Sequence, residues 1–140
     1  MLKVLIIDDD PDMVSGTRLA LEKRGHRVVA ASSTLEGHSK VEEERPDPIL
    51  LEIMIPSGTE GFHFVWRLRR HSDSLLREMP IVVVSAIHRT TELRLYPEET
   101  DRDYAPGEFL PVQAFLDKPV DLLALARTVD RVLAGFGRHE

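Results

Sequence analysis

The chain has 140 residues, a formal net charge of -6 and no cysteine. This length fits a single domain over residues 1–140, which can bury roughly two-thirds of the surface that its unfolded form exposes. Hydrophobic residues make up 42% and charged residues 30%, a composition that argues against a disordered or fibrous protein. The acidic charge argues against direct nucleic acid binding, and the lack of cysteine excludes disulfides and thiolate metal sites.

No apolar run approaches the roughly 20 residues that a membrane helix needs. Met1 leads directly into a strand pattern, without the charged and apolar regions of a signal peptide. We therefore expect a cytoplasmic protein with no membrane insertion.

Five short apolar runs alternate with segments of helical periodicity. The predicted strands are residues 3–7, 27–31, the middle of 46–56, 80–84 and 112–116, and helices are predicted after Pro11, over 34–44, over 62–70 and over 122–133. Such alternation predicts right-handed βαβ units and an α/β fold with a doubly wound, five-stranded parallel sheet.

Several helix ends have a predicted cap. Gly25 is the predicted C-cap of the first helix, Thr34 the N-cap of the second and Asp121 the N-cap of the last. The basic residues 67–70 are interpreted as a solvated helix end, and residues 71–79 as a connector. The six histidines show no paired metal spacing, so each is interpreted as a surface or packing residue.

Polar residues follow four of the predicted strands. Asp8 and Asp9, Glu52, Ser85 and Lys118 all fall at strand carboxyl ends, where parallel sheets bind ligands. A divalent ion such as Mg²⁺ would find oxygen ligands in Asp8, Asp9, Glu52 and a loop carbonyl, assigned to Met54. Carboxylates, a hydroxyl and a lysine around a cation are the groups that phosphoryl transfer needs.

Four motifs occur in order at these strand ends: Asp8-Asp9, the stretch from Pro46 to Pro56 with Gly61, Ser85-Ala86 and Lys118-Pro119. Together they make the chain similar to the receiver domain of two-component response regulators over essentially its full length. The resemblance implies a flavodoxin-like sheet in the order 2-1-3-4-5 and a Mg²⁺ ion held by the acidic pair. It also implies an aspartate phosphorylated by a partner histidine kinase, and a switch formed by Ser85 and the aromatic residue Phe115.

The chain departs from this family at two places. The phosphoacceptor aspartate of the family falls at Glu52, whose carboxylate extends about 1 to 1.5 Å further, and such a displacement can reduce a rate on the order of 100-fold. The second departure is an enlarged acidic connection at residues 88–110, where the output surface normally forms. We therefore expect a remodelled partner face, with a histidine kinase or another signalling protein as partner and a homodimer as a further option.

Several hypotheses account for Glu52. It imitates a phosphorylated aspartate in part, or the domain is a pseudo-receiver that binds proteins constitutively, which we favour, or aspartate was replaced deliberately. A further alternative is that Glu52 and Lys118 form a satisfied ion pair with no regulatory role. The alternative from another class is a small aspartate-dependent phosphatase, with Asp8 as nucleophile and Asp10 as second acid.

Overall fold

The fold is taken from a computed structural model that describes residues 2–55, 60–85 and 112–137, with side chains described up to residue 134. The predicted acidic connection at residues 88–110 lies outside the described residues, as do His88 and His139. Within the described ranges, no helix is long and apolar enough to cross a membrane.

Five parallel strands form one sheet in the order β2-β1-β3-β4-β5, which confirms the predicted topology. The elements in chain order are β1 (Lys3–Ile7), α1 (Pro11–Glu22), β2 (Arg27–Ala31), α2 (Thr34–Glu44), β3 (Ile49–Leu51), α3 (Glu60–Arg69), α4 (Ser74–Arg77), β4 (Ile81–Ser85), β5 (Ala114–Asp117) and α5 (Leu122–Gly137). The last strand begins two residues later than the predicted range of 112–116.

The apolar runs of β1, β3 and β4 are buried because both faces of the sheet are covered by helices. One face packs against α2 and α3, where Ile7 and Leu51 share a core with Phe64. The other face packs against α1 and α5, where Ile6 and Leu125 share a second core. Alternate residues of each strand therefore enter different cores, and neither face tolerates a polar residue until the strands end.

Two of the three predicted helix caps differ from the observed ones. Asp10 caps α1, since its side chain accepts hydrogen bonds from two backbone N–H groups of the first turn. The C-cap of α1 is Lys23 rather than Gly25, which instead takes a left-handed conformation (φ 86°) in the following turn. The N-cap of α2 is Ser33 rather than Thr34, since the Ser33 hydroxyl accepts the hydrogen bond that closes the turn. The Asp121 carboxylate accepts a backbone N–H bond from the start of α5, as a cap should.

The predicted solvated basic end of α3 holds for Arg67 and Arg70, which are exposed, and is wrong for Arg69. Arg69 is half-buried and donates hydrogen bonds to the backbone carbonyls of Arg77 (2.9 Å) and Met79 (2.7 Å) and to the side chain of Gln113 (3.1 Å). The connector after α3 also contains the short helix α4, which the sequence pattern did not reveal. Arg69 thus ties α3 to this connector by donating hydrogen bonds to its backbone carbonyls.

Candidate functional site

The strand register brings four polar side chains together at the carboxyl edge of the sheet. Asp8 directly follows β1, Glu52 directly follows β3, Ser85 is the last residue of β4 and Lys118 directly follows β5. The ladder continues past the strand ends, since the Glu52 N–H donates to the Ile7 carbonyl (2.9 Å) and the Lys118 N–H to the Ser85 carbonyl (2.9 Å). These backbone bonds fix the positions of the side chains along the strand direction.

The Glu52 carboxylate is buried and fully partnered. Its Oε2 atom accepts a 2.5 Å hydrogen bond from the Ser85 hydroxyl and a 2.9 Å bond from the Met54 backbone N–H. Its Oε1 atom lies 2.9 Å from the ammonium of Lys118. Glu52 is 7% exposed and Ser85 is 0% exposed, so these partners replace the water that a carboxylate would otherwise need.

Lys118 joins the two buried carboxylates of the site. Its Nζ atom lies 3.0 Å from Asp8 Oδ2 and 2.9 Å from Glu52 Oε1. The other Asp8 oxygen, Oδ1, accepts a bond from the Asp10 backbone N–H at 3.0 Å. One ammonium therefore faces two carboxylates, and the site carries net negative charge when all three groups are ionised.

Burial shapes the proton affinities at this site. Burial raises the pKa of the Asp8 carboxyl above its ordinary value of 3.8, although the Asp10 N–H and Lys118 partly oppose this effect. Burial also lowers the pKa of the Lys118 ammonium, but the bonds to Glu52 and Asp8 outweigh it and hold the pKa above 10.5. Lys118 is therefore a firmly charged cation at neutral pH.

Only two of the predicted magnesium ligands, Asp8 and Glu52, contact a common group in the structure. Asp8 and Glu52 share the Lys118 ammonium, whereas Asp9 is exposed and has no hydrogen bond or ion pair among the described residues. Met54 contributes its backbone N–H to Glu52. Across residues 2–55, 60–85 and 112–137, no three acidic or histidine side chains lie close enough to hold a metal ion. The described contacts place Lys118 between Asp8 and Glu52, and the magnesium site stays a prediction.

Two neighbours of the site complete its description. Phe115 is half-buried on β5 and packs against the core beneath α2 and α3, and its role as a switch stays a prediction. On the other face, a small cavity beneath Asp8 and Glu52 is lined by Thr17, whose buried hydroxyl has no partner among the described residues. Thr17 lies at a position of α1 that fits the apolar helical pattern, and it is buried there.

With this geometry established, comparison with known proteins decides the family. Residues 4–96 match the sequence model described as the response regulator receiver domain. This chain belongs to that family. The matched segment holds Asp8, Glu52 and Ser85, and Lys118 lies beyond it.

Individual receiver proteins extend the similarity to the rest of the chain. The protein PilH of Pseudomonas aeruginosa is 32% identical over 96% of this chain and 100% of its own length. The transcriptional regulatory protein AfsQ1 of Streptomyces coelicolor is 33% identical over 74% of this chain, but only 44% of that protein is matched. The structure of the chemotaxis response regulator CheY4 of Vibrio cholerae superimposes with a TM-score of 0.72 at 26% identity, covering 94% of this chain and 98% of CheY4.

The family match shows that this chain is a receiver domain of two-component signalling. Receiver domains are generally signalling modules rather than enzymes, and they typically bind Mg²⁺ at their phosphorylation site. No comparison supports the phosphatase alternative. Partners are therefore kinases or other signalling proteins as a class.

Proposed function

We propose that this receiver domain is a protein-interaction module whose output does not depend on phosphorylation of residue 52. The observation that carries this proposal is the 2.5 Å hydrogen bond from the Ser85 hydroxyl to the Glu52 carboxylate. In the family that the chain resembles, this hydroxyl approaches a phosphoryl group only after phosphorylation. Here the longer glutamate already reaches it.

The contacts of Glu52 oppose ordinary phosphotransfer. An attacking carboxylate oxygen needs a free lone pair directed at the phosphorus atom, and a misplacement of about 1 Å can reduce the rate on the order of 100-fold. Both Glu52 oxygens are already engaged, Oε1 by Lys118 and Oε2 by Ser85 and Met54. A lone pair remains only on Oε1, and the Lys118 contact together with the two bonds at Oε2 fixes the position of that oxygen.

The same contacts support partial imitation of the phosphorylated state. Glu52 engages Ser85 and Lys118, the two groups that would otherwise hold a phosphoryl group. Its single negative charge is smaller than the roughly -1.5 to -2 of a phosphoryl group, so imitation should be incomplete. We infer that the domain rests in one state and presents a constant surface to its signalling partner.

A phosphorylation assay tests the proposal. The full chain is incubated with an acyl phosphate donor, with and without Mg²⁺, and its intact mass is measured. We expect no added phosphoryl group on the protein as it stands, and magnesium-dependent labelling of the Glu52→Asp variant. Glu52→Gln, which cannot form an acyl phosphate, is the matched control. Stoichiometric labelling of Glu52 itself would refute the proposal.

A spectroscopic comparison measures how far the imitation extends. Amide NMR signals of Ser85 and its neighbours are compared for the parent chain and for Glu52→Asp before and after the phosphodonor. We expect the parent spectrum to be unchanged by the donor and to lie between the two spectra of the variant. If the parent spectrum coincides with that of unphosphorylated Glu52→Asp, Glu52 does not imitate the phosphorylated state. The domain would then be a pseudo-receiver without mimicry.

A further inference from the structure

A second cluster of ionisable side chains lies between α2 and α3, apart from the carboxyl edge of the sheet. It surrounds a pocket of about 220 Å³, which we call the α2–α3 pocket. The lining residues are His38, Val41, Glu42, Arg67, Leu68 and His71. Four of these six carry ionisable side chains, and none belongs to the candidate site described above.

His38 contributes a half-buried imidazole to this pocket. Its ring stacks on the ring of Phe64 from α3, with centroids 4.4 Å apart and planes inclined by 29°. Neither ring nitrogen has a hydrogen-bond partner within the described ranges. Burial lowers the pKa of His38, and the neighbouring Arg67 guanidinium lowers it further, while Glu42 opposes these effects. A half-buried imidazole with unused polar atoms favours a polar ligand.

Arg67 supplies further hydrogen-bond donors, whereas both ring nitrogens of His71 are already engaged. The Nδ1 atom of His71 accepts the Asp73 backbone N–H at 2.9 Å, so a neutral His71 carries its proton on Nε2. That nitrogen lies 3.1 Å from Glu42, the carboxylate of the pocket. Arg67 is exposed and has no ion pair among the described residues. Arg67 therefore brings an exposed guanidinium to a pocket that also holds the Glu42 carboxylate and two imidazoles.

We propose that the α2–α3 pocket binds a small oxyanion, held by the Arg67 guanidinium and the His38 imidazole, beside the His71 imidazole that is bonded to Glu42. A metal ion fits less well because Arg67 would repel it and because the described side chains form no three-ligand group. Guanidinium and imidazolium groups are the ordinary donors to carboxylate and tetrahedral oxyanions. Glu42 repels such a ligand and keeps the affinity modest.

Because the ligand would touch both α2 and α3, it would provide an input separate from residue 52. This inference does not depend on the proposed function.

Binding should be linked to protons. A bound anion stabilises the charged form of His38, so a proton is taken up on binding and the affinity falls as pH rises. The other ionisable groups facing His38 are Glu42 from α2, Arg67 from α3 and His71 after α3. Sulfate is the suitable first probe, because its own charge stays constant over the range in which imidazole titrates.

The test is a titration of the full chain with sodium sulfate, followed by amide and side-chain NMR signals, with sodium chloride holding the ionic strength constant. We expect saturable shifts centred on His38, Arg67 and His71, with tighter binding at about pH 6 than at about pH 8. Acetate, titrated in the same way, distinguishes a carboxylate ligand from a tetrahedral oxyanion. Saturable binding of either at this pocket supports the proposal, and binding of neither refutes it.

Variants make the assignment specific. Arg67→Gln should weaken binding about tenfold or more, because it removes a charge-assisted donor. Glu42→Gln should tighten binding, since it removes the repelling charge and keeps an oxygen to accept the His71 bond. Arg127→Gln, at an exposed position on α5, changes the net charge as Arg67→Gln does and should leave the affinity unchanged. Equal weakening by both arginine substitutions would overturn the proposal.

Discussion

Replacing Lys118 by methionine tests the electrostatic structure of the candidate site. Methionine retains much of the lysine volume but removes the ammonium that lies 3.0 Å from Asp8 and 2.9 Å from Glu52. The two accepting oxygens contact the same nitrogen, so they lie less than about 6 Å apart, a range at which like charges disfavour joint ionisation. Lys118→Met therefore leaves two buried carboxylates facing one another without a cation.

The expected loss of stability can be bounded from the contacts. Removing one partner of a buried ion pair typically costs about 3 to 5 kcal/mol. Two observations place this variant at the lower end, about 3 kcal/mol: Glu52 keeps its bonds from Ser85 and Met54, and the Lys118 side chain is 19% exposed and hence partly screened.

The loss should depend on pH. Lys118 lowers the pKa of Asp8, so its removal lets burial raise that pKa further above 3.8. A carboxyl whose folded pKa exceeds the unfolded value contributes stability below the unfolded value and loses it as pH rises through the folded value. The free energy of unfolding of the variant should therefore be closest to that of the parent in mild acid. The difference between the two should grow as the pH approaches neutrality.

Urea denaturation followed by circular dichroism measures the free energy of unfolding at about pH 5 and about pH 7. Combining Lys118→Met with Glu52→Gln should restore a large part of the lost stability, since one of the two buried charges is gone. Lys23→Met, at an exposed lysine, is the control and should change stability by less than about 0.5 kcal/mol. A loss below about 1 kcal/mol for Lys118→Met, or one that is the same at both pH values, would refute this reasoning.

Two further substitutions probe the packing around the site. Thr17→Val should raise the free energy of unfolding by about 1 to 2 kcal/mol, because the Thr17 hydroxyl is buried without a partner among the described residues, and a decrease in urea denaturation would contradict this. Gly61→Ala should lower stability by about 1 to 3 kcal/mol or more, since the new Cβ would lie 2.4 Å from the backbone of Ile53. Gly16→Ala is the matched control: its Cβ would lie 3.4 Å from Leu122, and thermal unfolding should show a gain of about 0.5 to 1 kcal/mol.

Local structure was harder to predict than strand position. The cap of α2 shifted by one residue because Ser33 and Thr34 both carry a hydroxyl, and the C-cap of α1 lies at Lys23 because Gly25 takes its left-handed conformation in the turn that follows. Arg69 was misassigned because its partners, the carbonyls of Arg77 and Met79 and the Gln113 side chain, reach it only once β4 and β5 are placed. The short helix α4 lies in a segment too short for periodicity to reveal.

The amino-acid sequence alone determined the parallel sheet and the sheet edge at which four polar residues lie, namely Asp8, Glu52, Ser85 and Lys118. Continuous apolar runs are stable only where both faces of a sheet are covered, and the first polar residue marks where that cover stops. Only the tertiary structure decided that Ser85 and Lys118 contact different oxygens of Glu52 while Asp9 stays exposed. Those contacts join strands distant in sequence, and they depend on register and side-chain conformation, which no local pattern specifies.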